Sequence, residues 1–127
     1  MVPAVFFKVV KIAMPPKANP AKLNPLQLRT LTLLQAIAQI PGASNLTQEG
    51  DTAITQFPHA HGDHFHLGDA TVMGRDATGL ENEIVWNALA RKGLIKAVWP
   101  DSIALTPEGV AYDTGIADQI LHKGGGH

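Results

Sequence analysis

The sequence predicts an α+β domain, and three observations carry that prediction. Apolar residues recur at helical spacing over 26–40 and again over 80–92. Between them, residues 52–73 show the alternation of a half-buried hairpin. After them, two short β-type runs at 95–99 and 103–106 are joined by Pro100-Asp101-Ser102.

Taken in order, residues 1–13 are rich in Val, Phe and Ile and read as a strand or an unstructured leader. Pro15, Pro16, Pro20 and Pro25 make 14–25 an extended linker. The expected division is an arm and linker over 1–24, one domain over 25–122, and a frayed glycine-rich tail over 123–127. The first helix opens on Asn24, a good N-cap, with Pro25 at the first helical position. Leu26, Leu33, Leu34, Ile37 and Ile40 form one apolar face, and Leu28 and Leu31 lie on another. A helix apolar on two sides is either central or part of a subunit interface, so a homodimer through Leu28 and Leu31 is an expectation. Pro41-Gly42 ends the helix, and 43–51 reads as a polar loop.

The next stretch carries Ile54 on one arm and Val72 on the other, with a bulge at Gly68 that turns Ala70 and Val72 inward. Thr78 and Glu81 match a capping box for the second long helix. Its expected core face is Leu80, Ile84, Val85, Ala88 and Leu89, and Gly93 stops it. Thr106-Pro107-Glu108 opens a third main helix, with apolar Val110, Ala117, Ile120 and Leu121. Gly109 and Gly115 are expected to weaken it.

Composition narrows the function classes. With 127 residues, 45% hydrophobic and 17% charged, the chain is ordinary globular material. No apolar run suits a membrane span, no signal peptide is evident, and a cytoplasmic location is expected. Without cysteine there is no thiolate metal site. The formal charge of −1 conceals a polarity: every one of the eleven acids lies at or beyond Glu49. The cations before that point are too sparse for an interaction tail. No Gly-x-Ser-x-Gly elbow or phosphate-binding glycine loop is present, so a non-enzyme is expected. Trp86 and Trp99 read as core or rim packing.

The densest chemistry is His59-Ala60-His61-Gly62-Asp63-His64-Phe65-His66. A two-residue turn at Gly62-Asp63 sets His61 opposite His64 and His59 opposite His66. All four imidazoles then share one face, with Pro58, Ala60, Phe65 and Leu67 on the other. Such a face suits zinc, nickel or copper through His59, His61, His64 and His66, with Asp63 or Asp69 orienting a ring. The same rings could act as a proton switch or as plain surface histidines.

The phrases Asn87-Ala88-Leu89-Ala90-Arg91-Lys92-Gly93-Leu94-Ile95 and Leu105-Thr106-Pro107-Glu108-Gly109 resemble the second half of a winged helix-turn-helix domain. The resemblance covers roughly half the chain. It implies a winged-helix-like fold with three main helices, a wing hairpin at 95–106 and an additional His-rich hairpin. It also implies double-stranded DNA as partner, read through Asn82, Glu83, Trp86, Asn87, Arg91 and, on the wing, Lys96. The family's short helix before the recognition helix has no convincing counterpart here. Glu81 and Glu83 have the wrong sign for phosphate. The histidine string also resembles the His-x-His-x-Asp-His motif of the metallo-β-lactamase superfamily. Only His122 and His127 lie downstream to complete such a centre, so that enzyme reading is set aside. The resulting expectation is a DNA-binding regulator, metal-responsive through its histidines. The alternative is a non-enzymatic interaction module.

Overall fold

The computed structural model describes residues 19–123, and at positions 60 and 61 the backbone alone. The strand expected over 1–13 and the tail over 124–127 lie outside the described residues. The architecture is α+β, with four helices and two four-stranded antiparallel sheets among the described residues.

Helix α1 spans Pro25–Ala38 and begins as its sequence requires. Asn24 accepts from the Gln27 amide at 2.8 Å, and Gln27 Oε1 accepts from the Asn24 amide at 3.0 Å, a reciprocal capping box. Leu31, Leu33, Leu34 and Ile37 are fully buried, each contributing about 1.5–3 kcal/mol of apolar burial. Thr30 and Thr32 are buried on the same turns. Their hydroxyls donate to the carbonyls of Leu26 and Leu28, which satisfies them in an apolar setting. The two apolar sides therefore belong to a central helix. The dimer expected through Leu28 and Leu31 has no such face: Leu31 is 0% exposed inside its own chain, and Leu28 is half-buried against the same core.

The first sheet has the order β1-β2-β7-β6, with β1 Ser44–Leu46, β2 Thr52–Ile54, β6 Ile95–Val98 and β7 Ser102–Leu105. The β6–β7 hairpin pairs Val98 with Ser102 and Ile95 with Leu105, as its sequence predicts. Strand β1 was not expected, because 43–51 reads as loop; Leu46 is 77% exposed on an edge, so no alternation signals it. Ile54 belongs to β2 of this sheet, not to an arm of the histidine hairpin.

The second sheet has the order β3-β4-β5-β8, with β3 Ala60–His61, β4 His64–Leu67, β5 Ala70–Met73 and β8 His122–Lys123. The Gly62-Asp63 turn forms as predicted, with His61 opposite His64. Gly62 has φ +70° and Asp63 does not have positive φ, the pattern of a type II′ hairpin. Gly68 is not a bulge. With Asp69 it makes a second two-residue hairpin, at φ +63°, pairing Leu67 with Ala70 and Phe65 with Val72. The inward turn of Ala70 and Val72 is nonetheless observed, at 4% and 0% exposure. Lys123 is paired with Ala70, so β8 takes in the first residue of the expected tail.

Two 3₁₀ turns, Gly74–Asp76 and Thr78–Glu81, connect this sheet to helix α2, Glu83–Arg91. The capping box expected at Thr78 does not form. Asn82 caps α2 instead, accepting from the amides of Ile84 at 2.9 Å and Val85 at 3.4 Å. Val85, Trp86, Ala88 and Leu89 face the core, and Ile84, expected there, is 76% exposed. The third main helix divides into α3, Pro107–Ala111, and α4, Ala117–Ile120. The break follows from Asp113, which accepts from the Gly115 amide, and from Gly115 itself at φ +74°. Gln35 holds this segment to α1, donating to the carbonyls of Gly109 and Tyr112 at 2.8 Å each. Residues 19–24 are also tied down: Leu23 is buried, and the Lys92 ammonium donates to the carbonyls of Ala21 and Lys22.

Candidate functional site

The second sheet is amphipathic because β4 and β5 alternate in step. Phe65, Leu67, Ala70 and Val72 form its inner side. His64, His66, Thr71 and Met73 form the other, with His64 opposite Met73 and His66 opposite Thr71. The register continues to β8, where Thr71 faces His122. His66, Thr71 and His122 therefore lie in one row across three strands. Sequence reasoning noted His122 only as a residue downstream of the histidine string, since nothing in its local pattern pairs it with Thr71.

His64 and His66 are brought together. Their rings meet edge to face at 4.8 Å between centroids, and their Nε2 atoms are 3.2 Å apart. His64 Nδ1 is 3.5 Å from Asp63 Oδ1, so the turn aspartate can bias the tautomer in which Nδ1 donates and Nε2 accepts. His59 is exposed and borders the same hollow as His66, a space of about 250 Å³. The side chain of His61 lies outside the described residues. Among the described residues, no group of three or more His, Asp or Glu is placed to hold a metal ion.

The six residues expected to contact DNA separate. Glu83, Asn87 and Arg91 are exposed at successive turns of α2. Trp86 is a correction: it is 3% exposed, and its indole N–H donates to the Leu80 carbonyl at 3.2 Å. Its size and flat apolar rings place it in the core beneath the helix. Asn82 spends its side-chain oxygen on the helix cap. Lys96 reaches from β6 to Asp51, Nζ to Oδ2 2.8 Å, where the buried carboxylate needs a counter-charge. That hydrogen bond and the charge on Asp51 hold the Lys96 pKa above the ordinary lysine value. Lys92, one position beyond α2, is engaged by the two backbone carbonyls already described.

Comparison of the chain with protein-family models found no match, and comparison with curated proteins and with solved structures found none either.

Proposed function

We propose that this chain is a non-catalytic, winged-helix-type binding domain that carries a transition-metal ion on its second sheet. One observation carries the metal reading: the 3.2 Å separation of His64 Nε2 and His66 Nε2. Two imidazole nitrogens at about 2.0–2.1 Å from one tetrahedral ion sit about 3.3 Å apart, so the spacing of the pair matches a metal's bite and ring rotation aims both nitrogens at the ion. Without metal the two nitrogens share a proton, one donating and one accepting. An ion takes that proton's place. Position 61, opposite His64 in register, and His59, which borders the same hollow as His66, are the further candidate ligands. Zinc, nickel and copper all suit an imidazole set.

The winged-helix reading is supported by topology. The sheet order β2-β7-β6, with α2 running directly into the β6–β7 hairpin, is the connectivity that the resemblance implies. The 3₁₀ turns stand where that fold has its short second helix. The histidine sheet is inserted just ahead of them, and the Gly74 amide donates to the Asp63 carbonyl at 2.7 Å. An ion that stiffens β4 therefore acts on the segment leading into α2. It changes how α2 is presented only if it binds two arrangements of that segment unequally.

A duplex DNA partner is the second reading, favoured by exposed Asn87 and Arg91 on α2. Phosphate neutralisation dominates such binding, and here Lys92 and Lys96 are already engaged, while Glu81 and Glu83 stand at the leading end of the helix. A protein partner for α2 fits this surface better. Calorimetric titration of zinc, nickel and copper tests the metal reading. Wild type releases or absorbs heat to a saturable end point with at least one ion, and His64→Ala/His66→Ala does not. Equal heats for both proteins would remove the proposal. Anisotropy of a labelled random duplex at low salt separates the partners: binding at micromolar protein, weakening steeply with salt, would put DNA first.

A further inference from the structure

Away from the histidines, a cleft of about 410 Å³ opens where β2, the tip of the β6–β7 hairpin and the second 3₁₀ turn meet. Its volume is that of a small-ligand site. Three aromatic rings line it. Phe57 lies nearly parallel to Trp86, at 25° and 6.4 Å between centroids. Trp99 stands nearly perpendicular to Trp86, at 83° and 4.7 Å. Trp86 is the buried floor, and Phe57 and Trp99 are more open. Glu81 and Asp101 are the charged residues of the lining, and both are exposed. Neither forms a salt bridge among the described residues. Among the described residues, no lysine, arginine or histidine lines the cleft.

We infer that this cleft binds a small organic cation, an alkylated ammonium such as a quaternary amine. Aromatic faces attract cations through their quadrupole, most strongly for tryptophan and for weakly hydrated ammonium groups. Two carboxylates that pair with no cation among the described residues add a field of the same preference. An anion would meet repulsion on two sides, and a neutral ligand would leave both charges unused. The inference is independent of the metal reading, since the cleft shares neither His64 nor His66.

The test uses the full chain and its own two tryptophans, both of which line the cleft. Choline is titrated at fixed ionic strength against its uncharged carbon isostere, 3,3-dimethylbutan-1-ol, following tryptophan emission. Choline gives a saturable change and the isostere does not. Glu81→Gln/Asp101→Asn, at two exposed positions that leave the core untouched, weakens choline about tenfold with an unchanged circular dichroism spectrum. Glu83→Gln, at the start of α2 and outside the cleft, binds as wild type. The inference is overturned by no saturable change, by equal response to the isostere, or by wild-type affinity in the double variant. It is also overturned if a trimethyllysine peptide binds far more tightly than choline, because the occupant would then be a protein side chain.

Discussion

Replacing Gly109 with alanine should destabilise the domain, although helix propensity alone says the reverse. Gly109 lies inside α3, where an alanine is worth about 1 kcal/mol more than glycine. The fold reverses the sign. A Cβ at position 109 would stand 1.9 Å from the Leu94 carbonyl oxygen and 3.3 Å from Leu105 Cδ2. That carbonyl accepts from the Thr106 amide at 3.1 Å, and the Leu94 amide donates to the Leu89 carbonyl. On the other side, the Gly109 amide donates to Thr106 Oγ1 at 3.0 Å, and its carbonyl accepts from Gln35. Neither backbone can retreat without losing bonds. Overpacking costs about 1–3 kcal/mol, and a clash with fixed backbone belongs at the upper end. For a domain of this size, about 3 kcal/mol lowers the melting temperature by roughly 12 °C. Thermal unfolding followed by circular dichroism measures it. An unchanged or raised melting temperature for Gly109→Ala would refute the packing of α3 against the start of the β6–β7 hairpin.

Gly79→Ala drives a Cβ to 1.9 Å from Thr30 Oγ1 and should cost about 1–3 kcal/mol; a second change, Thr30→Ala, should restore much of that loss, and strict additivity in denaturant unfolding would argue against the contact. Leu31→Ala should cost about 2–5 kcal/mol in the same assay with no change in sedimentation, whereas loss of a dimer with little loss of stability would restore the interface reading. Lys96→Met should lower the melting temperature at neutral pH. Because folding raises the Lys96 pKa, its contribution is complete below the ordinary lysine pKa of 10.5 and fades as pH rises through the higher folded value. The difference between wild type and variant should therefore shrink in alkali, and a constant difference would contradict the Asp51 pairing.

Features coded by short-range chemistry were legible in the sequence. Asn24-Pro25 announced α1, strands β6 and β7 fell where their turn residues put them, and Gly62-Asp63 fixed the histidine register. The same logic was available six residues on, where Gly68-Asp69 repeats the glycine-aspartate pair, yet the lost alternation suggested a bulge. Asn82 outcompeted Thr78 as a cap because its side-chain oxygen reaches two amides at the start of α2. Tertiary packing decided the rest. Leu31 was assigned to an interface on local grounds and is interior, because α1 is covered on every side at its middle turns; Trp86, which the resemblance put towards DNA, is buried as its local reading as core or rim allowed. Phe57, Trp86 and Trp99 come from three separate segments, and no spacing in the sequence could have announced their cleft.

The account stands or falls on two nitrogen atoms. Histidine ring ¹H–¹⁵N spectra recorded during zinc addition read them directly. The account predicts that Nε2 of His64 and Nε2 of His66 move together to metal-bound shifts and saturate at one ion per chain. Rings that stay at their starting shifts, or movement at His59 and His122 with the β4 pair unmoved, would contradict it.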